Sequence, residues 1–420
     1  MAVISEDPCA AADGRPDRGP AAVDLQRPAA GTSSSASAPA APADIDVAEV
    51  LDAFRPATHG RSCLPSDPVV RRITGKHRQA IRVSPCPVCD ETQAQPLYEI
   101  DGFEERLVVC GECGLGRLWP LPPASEIAGF YPTEYYGDSG AKFRPQIERV
   151  LRMIAAARAR RMTHGLPRAA RVLDVGCGRG VLLGALADLG CEVHGFEISR
   201  EAALGADERA HLHVAADLTA AGYRANCFDL VVLCHVLEHL PRPRETLMEI
   251  RRILKPAGRL VVAVPNFSSL QARWTGPGWF HLDLPRHLYH FPLPALERLL
   301  DDCGFDCRTA QHFALDQNVF GWLQSLLNQL SPLSRNRLYR LLKNRPRHSA
   351  RWHGWTTLLA GALAAPAAVA LSLLEPVLQC GGTVTVTAAK QRRTQRAASA
   401  AWTGERAWSR CLEPTAVAGG

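Results

Sequence analysis

The segment "ARVLDVGCGRGVLLGALADLGCEVHGFEIS", residues 170–199, contains the patterns that decide the fold. A β-type run from Val172 to Val175 includes Asp174, and alternating glycines follow it: Gly176, Gly178, Gly180. A helical pattern comes next, with four leucines expected on one face: Leu182, Leu183, Leu186, Leu189. A second strand then ends at Glu197, twenty-one residues after the first glycine.

This order of elements predicts a strand–turn–helix site for a nucleotide. Glycines let the backbone approach a ligand, and an acid at the end of the second strand accepts hydrogen bonds from ribose hydroxyls. The spacing G-x-G-x-G differs from the dinucleotide fingerprint, in which the N-terminus of the first helix binds a pyrophosphate. The turn therefore disfavours a dehydrogenase.

The segment resembles the first motif of class I S-adenosylmethionine-dependent methyltransferases, which reads like "VLDVGCGRG". The resemblance covers roughly residues 170–315 and continues in order through three further segments: "VAADL" (214–218), "FDLVVLCHVLEHLPRP" (228–243) and "ILKPAGRLVVAVPN" (253–266). It implies an α/β fold with a Rossmann-like, seven-stranded sheet whose last strand is antiparallel. "GGTVTVTAAK" at 381–390 is the expected last strand.

The resemblance also implies S-adenosylmethionine as the methyl donor and assigns the residues that bind it. The turn, with Asp174, Gly176, Gly178 and Gly180, would enclose the methionine part. Glu197 would bind the ribose. The adenine would lie against Asp217 and Leu218, and the sulfonium end against Cys234 and His235.

Paired cysteines predict a zinc ribbon. "CPVC" and "CGEC" supply Cys86, Cys89, Cys110 and Cys113, in two C-x2-C pairs separated by twenty residues. Four thiolates in this spacing suit a tetrahedral Zn²⁺ ion, and a site closed by four protein ligands is structural rather than catalytic. Redox-active or unbound cysteines are the alternative.

"HLDLPRHLYHF", residues 281–291, follows the predicted fifth strand, a region that borders the methyl-transfer cleft in this fold. His287 and His290 are candidate general bases, because an imidazole titrates near neutral pH. Arg286 is a candidate for orienting an acceptor phosphate or carboxylate. A structural role, in which these side chains bond backbone carbonyls, and a mononuclear metal site stay open.

The cysteine pairs and "FYPTEYYG" also resemble bacterial methyltransferases with an N-terminal zinc-binding part, some of which act on nucleotide-linked sugars. The chain lacks the His-Glu-His pattern of the sugar C-methylating members. The aromatic residues of this segment would form a lid over the methyl donor or pack between ribbon and core: Phe130, Tyr131, Tyr135, Tyr136.

Composition divides the 420 residues, which are 46% hydrophobic with a net charge of +6, into seven parts. The expected parts are a low-complexity, disordered region (1–80), the zinc ribbon (81–120), a linker and helical lid (121–169), the methyltransferase core (170–316), a helical insertion (317–380), the last core strand (381–390) and a flexible tail (391–420). The modest charge does not by itself indicate a nucleic-acid partner.

Residues 317–374 contain no acid. The region combines an apolar helical pattern, a basic run from Arg335 to Arg351 and an uncharged segment, 355–374. That segment is long enough to span a bilayer. Alternatives are a helix lying on the membrane surface, through region 317–379, and a cover over the substrate cleft or a dimer surface.

The sequence thus predicts a methyltransferase that acts on a small-molecule, sugar or lipid-linked acceptor, by O- or C-methylation. An RNA methyltransferase with a zinc-ribbon RNA-binding segment is the alternative, and a scaffold without activity is a third. No signal peptide is recognisable in the first thirty residues, and we expect a cytoplasmic protein. A peripheral position at the inner face of the membrane stays open.

Overall fold

In a computed structural model of the chain, residues 68–131, 142–203, 205–330, 335–343 and 351–391 are described. Thirteen strands lie in these ranges: β1 (Val70–Arg72), β2 (Ile81–Arg82), β3 (Gln93–Ile100), β4 (Arg106–Cys110), β5 (Gly116–Trp119), β6 (Arg171–Val175), β7 (Glu192–Glu197), β8 (His211–Val214), β9 (Phe228–Cys234), β10 (Leu254–Pro265), β11 (Tyr289–His290), β12 (Phe305–Gln311) and β13 (Thr383–Lys390).

The α-helices of the same ranges are α1 (Ala124–Gly129), α2 (Pro145–Thr163), α3 (Val181–Ala187), α4 (Pro243–Ile253), α5 (Leu270–Thr275), α6 (Leu293–Asp302), α7 (Leu315–Asn328), α8 (Arg337–Leu342) and α9 (Arg351–Val377). Short 3₁₀ turns connect them, and one of these turns, Leu237–His239, follows β9 directly.

The central sheet has seven strands in the order β12-β13-β10-β9-β6-β7-β8. Strand β13 runs antiparallel to both of its neighbours, and the pairings among β6 to β10 are parallel. The predicted Rossmann-like sheet with an antiparallel last strand is therefore confirmed. Its middle strands are apolar runs, such as residues 230–233 in β9, because they are fully buried.

A second sheet contains the two cysteine pairs and has the order β1-β3-β4-β5-β11, with β2 paired to β3. Its last strand, β11, comes from the segment 281–291 and pairs with β5, so this segment joins the cysteine-bearing sheet to the core. One continuous apolar cluster includes Leu107 and Leu118 of this sheet and Leu233 and Val262 of the central sheet. The two sheets therefore share a hydrophobic core.

The structure differs from the sequence-based boundaries at three places. Strand β1 pairs with β3 although it lies in the region 1–80 that was expected to be disordered. Helix α3 ends at Ala187, so Leu189 lies outside the helix and is 42% exposed. Helix α7 begins at Leu315, two residues before the predicted insertion. Residues 1–67 and 392–420 lie outside the described residues.

Helices α7, α8 and α9 form the predicted insertion between β12 and β13. The buried side of α9 carries Thr357, Ala368, Ser372 and Glu375. Asn318 of α7 donates a 2.6 Å hydrogen bond to Glu375 Oε2, which ties the two helices together. Residues 354–377 of α9 are long and apolar enough to cross a membrane by length and composition, although one side packs on the protein.

Candidate active site

The glycine turn after β6 has a backbone that only glycine suits. The amides of Gly176 and Cys177 both donate to Phe196 O of β7, over 2.8 Å and 3.2 Å. Gly176 has a φ of +70°, and a Cβ there would lie 2.5 Å from Val236 Cγ2. The turn therefore combines a left-handed backbone with a close approach of the segment after β9.

Glu197 is held at the end of β7 by backbone amides of this turn. Gly178 N donates to Oε2 over 3.0 Å, and Ile198 N donates to Oε1 over 2.9 Å. Burial raises the pKa of Glu197, and these amides act in the opposite direction. Each carboxylate oxygen keeps an acceptor site for a ribose hydroxyl, so the residues present fit the predicted ribose contact.

Asp174 is buried beneath the same turn. Its pKa rises to about 7, first because of burial and second because of the nearby Glu197 charge, while Arg158 opposes the shift. Arg158 of α2 also forms a 2.9 Å ion pair with Asp316 of α7. The sequence did not single out these two residues, whose ion pair joins α2 and α7 close to Asp174.

The remaining predicted donor-binding residues lie at the ends of β8 and β9. Asp217 Oδ1 accepts a 2.9 Å hydrogen bond from Ala220 N, and Leu218 is buried next to it. Cys234 ends β9, and His235 follows in a left-handed conformation with a φ of +57°. A strained residue at this position is typical of a functional site. Gly180, with a φ of +68°, precedes the first residue of α3.

The segment 281–291 is buried between the turn 237–239 and the cysteine-bearing sheet. His287 Nδ1 lies 2.8 Å from His281 O, and His290 Nε2 lies 2.9 Å from Leu282 O. Burial lowers the pKa of His287 to about 3 and that of His290 to about 4. Both rings are therefore neutral at neutral pH, and each bonds a backbone carbonyl, which is the structural role that the sequence left open.

Arg286 lies in a partly buried ion pair with Asp283. Its guanidinium donates from Nε to Oδ2 over 3.0 Å and also contacts Oδ1. Despite the burial of Asp283, this guanidinium holds the pKa of the carboxyl well below its usual range. The charge of Arg286 is thus already paired within the protein. Its predicted contact with an acceptor anion stays a prediction.

Glu238 and His239 are functional candidates that the sequence reasoning quoted but did not assign. Glu238 is 1% exposed, and its carboxylate lies near three imidazoles, those of His235, His239 and His287. Burial alone would raise the pKa of Glu238, but these rings lower it to about 2. The sequence feature that could have identified them is the adjacent Glu-His pair, which begins three residues after His235.

The aromatic segment after α1 contributes one polar contact to this site. Tyr131 Oη lies 2.8 Å from His239 Nδ1. Phe130 is buried in the shared core, as expected if it packs between ribbon and core. Tyr135 and Tyr136 lie outside the described residues, so the predicted lid stays a prediction.

The four cysteines converge as a metal site requires. Their sulfur atoms all lie within 4.8 Å of one another, with Cys86 Sγ 3.6 Å from Cys113 Sγ and Cys89 Sγ 3.5 Å from Cys110 Sγ. Tetrahedral coordination at a Zn–S distance of about 2.3 Å places sulfurs roughly 3.8 Å apart. The cluster therefore fits a structural zinc ion.

The order of the seven strands and the glycine turn with its two buried carboxylates define a class: residues 144–310 form a class I S-adenosylmethionine-dependent methyltransferase domain, and the protein is a methyltransferase. The same residues, 144–310, match a family of methyltransferase domains.

Relatives of known name match part of the chain. The chain is 28% identical over 195 residues to a ubiquinone biosynthesis O-methyltransferase of Xanthomonas oryzae, covering 43% of this chain and 72% of the relative. It is 34% identical over 155 residues to the protein of that name in Thiobacillus denitrificans, covering 34% and 63%.

Among solved structures, a SAM-dependent methyltransferase from Archaeoglobus fulgidus is similar with a TM-score of 0.38 and 21% identity, over 57% of this chain and 94% of that chain. The 1,6-didemethyltoxoflavin-N1-methyltransferase of Burkholderia thailandensis is similar with a TM-score of 0.37 and 16% identity, over 70% and 99%.

Proposed function

We propose that the protein transfers the methyl group of S-adenosylmethionine to a hydroxyl oxygen of a small-molecule acceptor. Two observations support O-methylation. The matched relatives are named ubiquinone biosynthesis O-methyltransferases. The end of β9, where the methyl group would be presented, is surrounded by imidazoles, and burial raises the pKa of the Cys234 thiol at this position to about 12, which disfavours a nucleophilic thiolate.

The chemistry needs positioning and one proton acceptor. The acceptor oxygen attacks the methyl carbon, the carbon–sulfur bond breaks, and the electron pair remains on the sulfur as a thioether. The hydroxyl proton must leave to a nearby base, which contributes about 10²–10⁴-fold to such reactions.

His235 is the proton acceptor that the geometry supports best. Its side chain is 24% exposed, and its Nδ1 lies 3.3 Å from Glu238 Oε1, so the carboxylate can stabilise the imidazolium formed. His287 and His290 stay candidates from the sequence. Their burial and lowered pKa make them weaker bases at neutral pH than an ordinary imidazole.

The test is formation of S-adenosylhomocysteine with three acceptor classes: hydroxylated aromatic compounds with and without polyprenyl tails, sugar nucleotides, and transcribed RNA. We expect turnover with the first class, and the His235→Gln variant should lose at least about 100-fold in kcat while still binding S-adenosylmethionine. Transfer to RNA or to sugar nucleotides, without turnover of the hydroxylated aromatics, would contradict the proposal.

We also propose that α9 rests on a lipid surface, which suits a lipid-linked acceptor. One stripe of the helix is apolar and exposed: Trp355 74%, Leu359 64%, Leu363 75%, Leu373 61%, Val377 77%. Arg335, in the basic run, donates to Pro277 O and Trp279 O, so this residue ties the insertion to the core instead. Residues 344–350 of the run lie outside the described residues. The support therefore comes from the stripe, which binds a membrane surface in proportion to its buried apolar area.

A further inference from the structure

We propose that Glu238, His239 and His287 bind a divalent first-row transition-metal ion at the acceptor end of the methyl-transfer site. One ligand atom from each lies within 4.8 Å of the others. The residues come from two segments far apart in sequence, the turn after β9 and the loop before β11. This site is separate from the four cysteines.

The carboxylate of Glu238 is buried in a position that a bound cation would stabilise. The residue is 1% exposed, and neither carboxylate oxygen has a hydrogen bond within the described part of the chain. His235 Nδ1 lies 3.3 Å from Oε1, which is ion-pair distance without hydrogen-bond geometry. A buried carboxylate without donors is costly unless a proton or a cation neutralises it.

In both imidazoles Nδ1 contacts a backbone carbonyl, which leaves Nε2 as the candidate ligand atom. His287 Nδ1 lies 2.8 Å from His281 O, and because a carbonyl only accepts, Nδ1 carries the proton. His239 Nδ1 lies 3.0 Å from Arg286 O and 2.8 Å from Tyr131 Oη. A proton on Nδ1 satisfies these contacts, since the tyrosine can donate onward to Arg286 O.

This arrangement is typical of metal-binding histidines. Such residues donate one ring N–H to a carbonyl or carboxylate, which fixes the tautomer and leaves the other nitrogen for the ion. The rings of His239 and His287 lie 4.6 Å apart between centroids, at 71° to each other. Near-perpendicular rings can share one ion through their Nε2 atoms, and the Nε2 of His287 lies 3.9 Å from Asp283 Oδ2, which is beyond hydrogen-bond distance.

The backbone holds the ligand set in place without the ion. Leu288 N donates to Glu238 O over 2.9 Å, so the loop is fixed to the turn at the residue next to His287. Leu118 N of β5 donates to Leu288 O over 3.0 Å and continues this connection into the cysteine-bearing sheet. The site is therefore largely preformed.

The donor set indicates which ions fit. Two imidazoles and one carboxylate suit Zn²⁺, Fe²⁺ and Co²⁺ better than Mg²⁺ or Ca²⁺, which prefer oxygen ligands. Three protein ligands leave at least one position for water or for an acceptor oxygen. Binding of an acceptor oxygen at this position rests on the proposed O-methylation, whereas binding of the metal ion does not.

The experiment measures bound metal in the full chain after loading with Co²⁺ or Zn²⁺ and removal of excess ion. Wild type is compared with Glu238→Gln and His287→Gln, and with His290→Gln as the matched control, since that buried histidine is outside the ligand group. We expect both ligand variants to bind one ion per chain fewer than wild type, and the control to equal wild type. Binding of S-adenosylhomocysteine reports that each variant is folded.

The Co²⁺ spectrum of wild type gives a second reading that needs no variant. A Co²⁺ ion bound by Glu238, His239 and His287 should add weak visible bands that lack thiolate-to-metal charge transfer. These bands would appear beside any signal from the cysteine site. Equal metal content in all four proteins, or a cobalt spectrum of thiolate character alone, would overturn the proposal. If a protein without metal in this site still transferred the methyl group, the proposed O-methylation would stand and only a role of the metal in transfer would be rejected.

Discussion

At the scale of single residues, Gly176 is the position where the turn has least freedom. Its φ of +70° disfavours any side chain, and an added Cβ would lie 2.5 Å from Val236 Cγ2. We expect Gly176→Ala to weaken S-adenosylmethionine binding and to lower the free energy of unfolding by about 1–3 kcal/mol more than backbone strain alone, because the core is overpacked.

Gly178→Ala is the matched control for this change. Gly178 also has a left-handed backbone, with a φ of +49°, but an added Cβ would meet no atom within 4 Å. Urea unfolding and calorimetric titration compare the two variants. Equal losses in both would show that the contact with Val236 is unimportant.

Asp174 should make the stability of the donor-free protein depend on pH. Its folded pKa of about 7 is above the ordinary value of 3.8, so the folded state holds a proton that the unfolded state releases. The stability that this proton provides is present below about pH 4 and is lost as the pH rises toward 7.

The measurement is the melting temperature of wild type and Asp174→Asn between pH 4 and 8. Wild type should lose more stability than the variant across this range, since asparagine does not titrate. Parallel curves would mean that Asp174 ionises normally in the folded protein.

The residues proposed to bind the methyl donor could be proposed from the sequence because they follow a local pattern. Gly176, Gly178 and Glu197 lie on one strand–turn–helix–strand unit, and their spacing carries the geometry. Glu238 and His239 were not assigned a role, because their environment depends on contacts such as that of His239 with Arg286, 47 positions away. No spacing rule within one element reports such a contact.

At the scale of elements, the cysteine-bearing sheet is part of the methyltransferase core. Arg244 of α4 donates to Pro87 O and Val88 O inside the first cysteine pair, over 3.0 Å and 3.1 Å. We therefore expect Cys86→Ser to remove one zinc ion per chain and to lower the melting temperature of the whole protein.

Cys191→Ser is the control, because Cys191 is half-buried and lies outside the cysteine cluster. Elemental analysis and thermal unfolding follow both variants. Unchanged zinc content in Cys86→Ser would exclude a four-cysteine site.

Helix α9 provides the prediction about membranes. The double variant Leu359→Glu, Leu363→Glu should reduce sedimentation with anionic vesicles several-fold, because it places charge on the exposed stripe. Met153→Glu is the control, since Met153 of α2 is 67% exposed and lies on another helix. Vesicle binding that survives the double variant would contradict the lipid contact, and a dimer that the variant dissociates would assign the stripe to a second copy.

The central sheet and the helical insertion could be predicted because their patterns are long. Strand β11 could not, because it has only two residues and pairs with β5, about 170 positions earlier in the chain. The short β1 was missed for the same reason. Such strands form because the surrounding core positions them, not because their own residues favour a strand.

At the scale of the whole molecule, the cysteine-bearing sheet and the helical insertion both pack on the core. The donor turn lies at the carboxyl ends of β6 and β7, and the imidazoles lie between β9 and the cysteine-bearing sheet. The cysteine-bearing sheet and the helical insertion are therefore packed parts of the structure and not independent units.

The central claim is that the turn after β6 and Glu197 bind S-adenosylmethionine, and calorimetric titration of the purified chain with S-adenosylhomocysteine tests it most directly. We predict one binding site per chain and a loss of affinity of about tenfold or more in Glu197→Gln, because hydrogen bonds to a charged group contribute about 1.5–3 kcal/mol. Absence of binding heat in wild type, or equal affinity in the variant, would contradict this account.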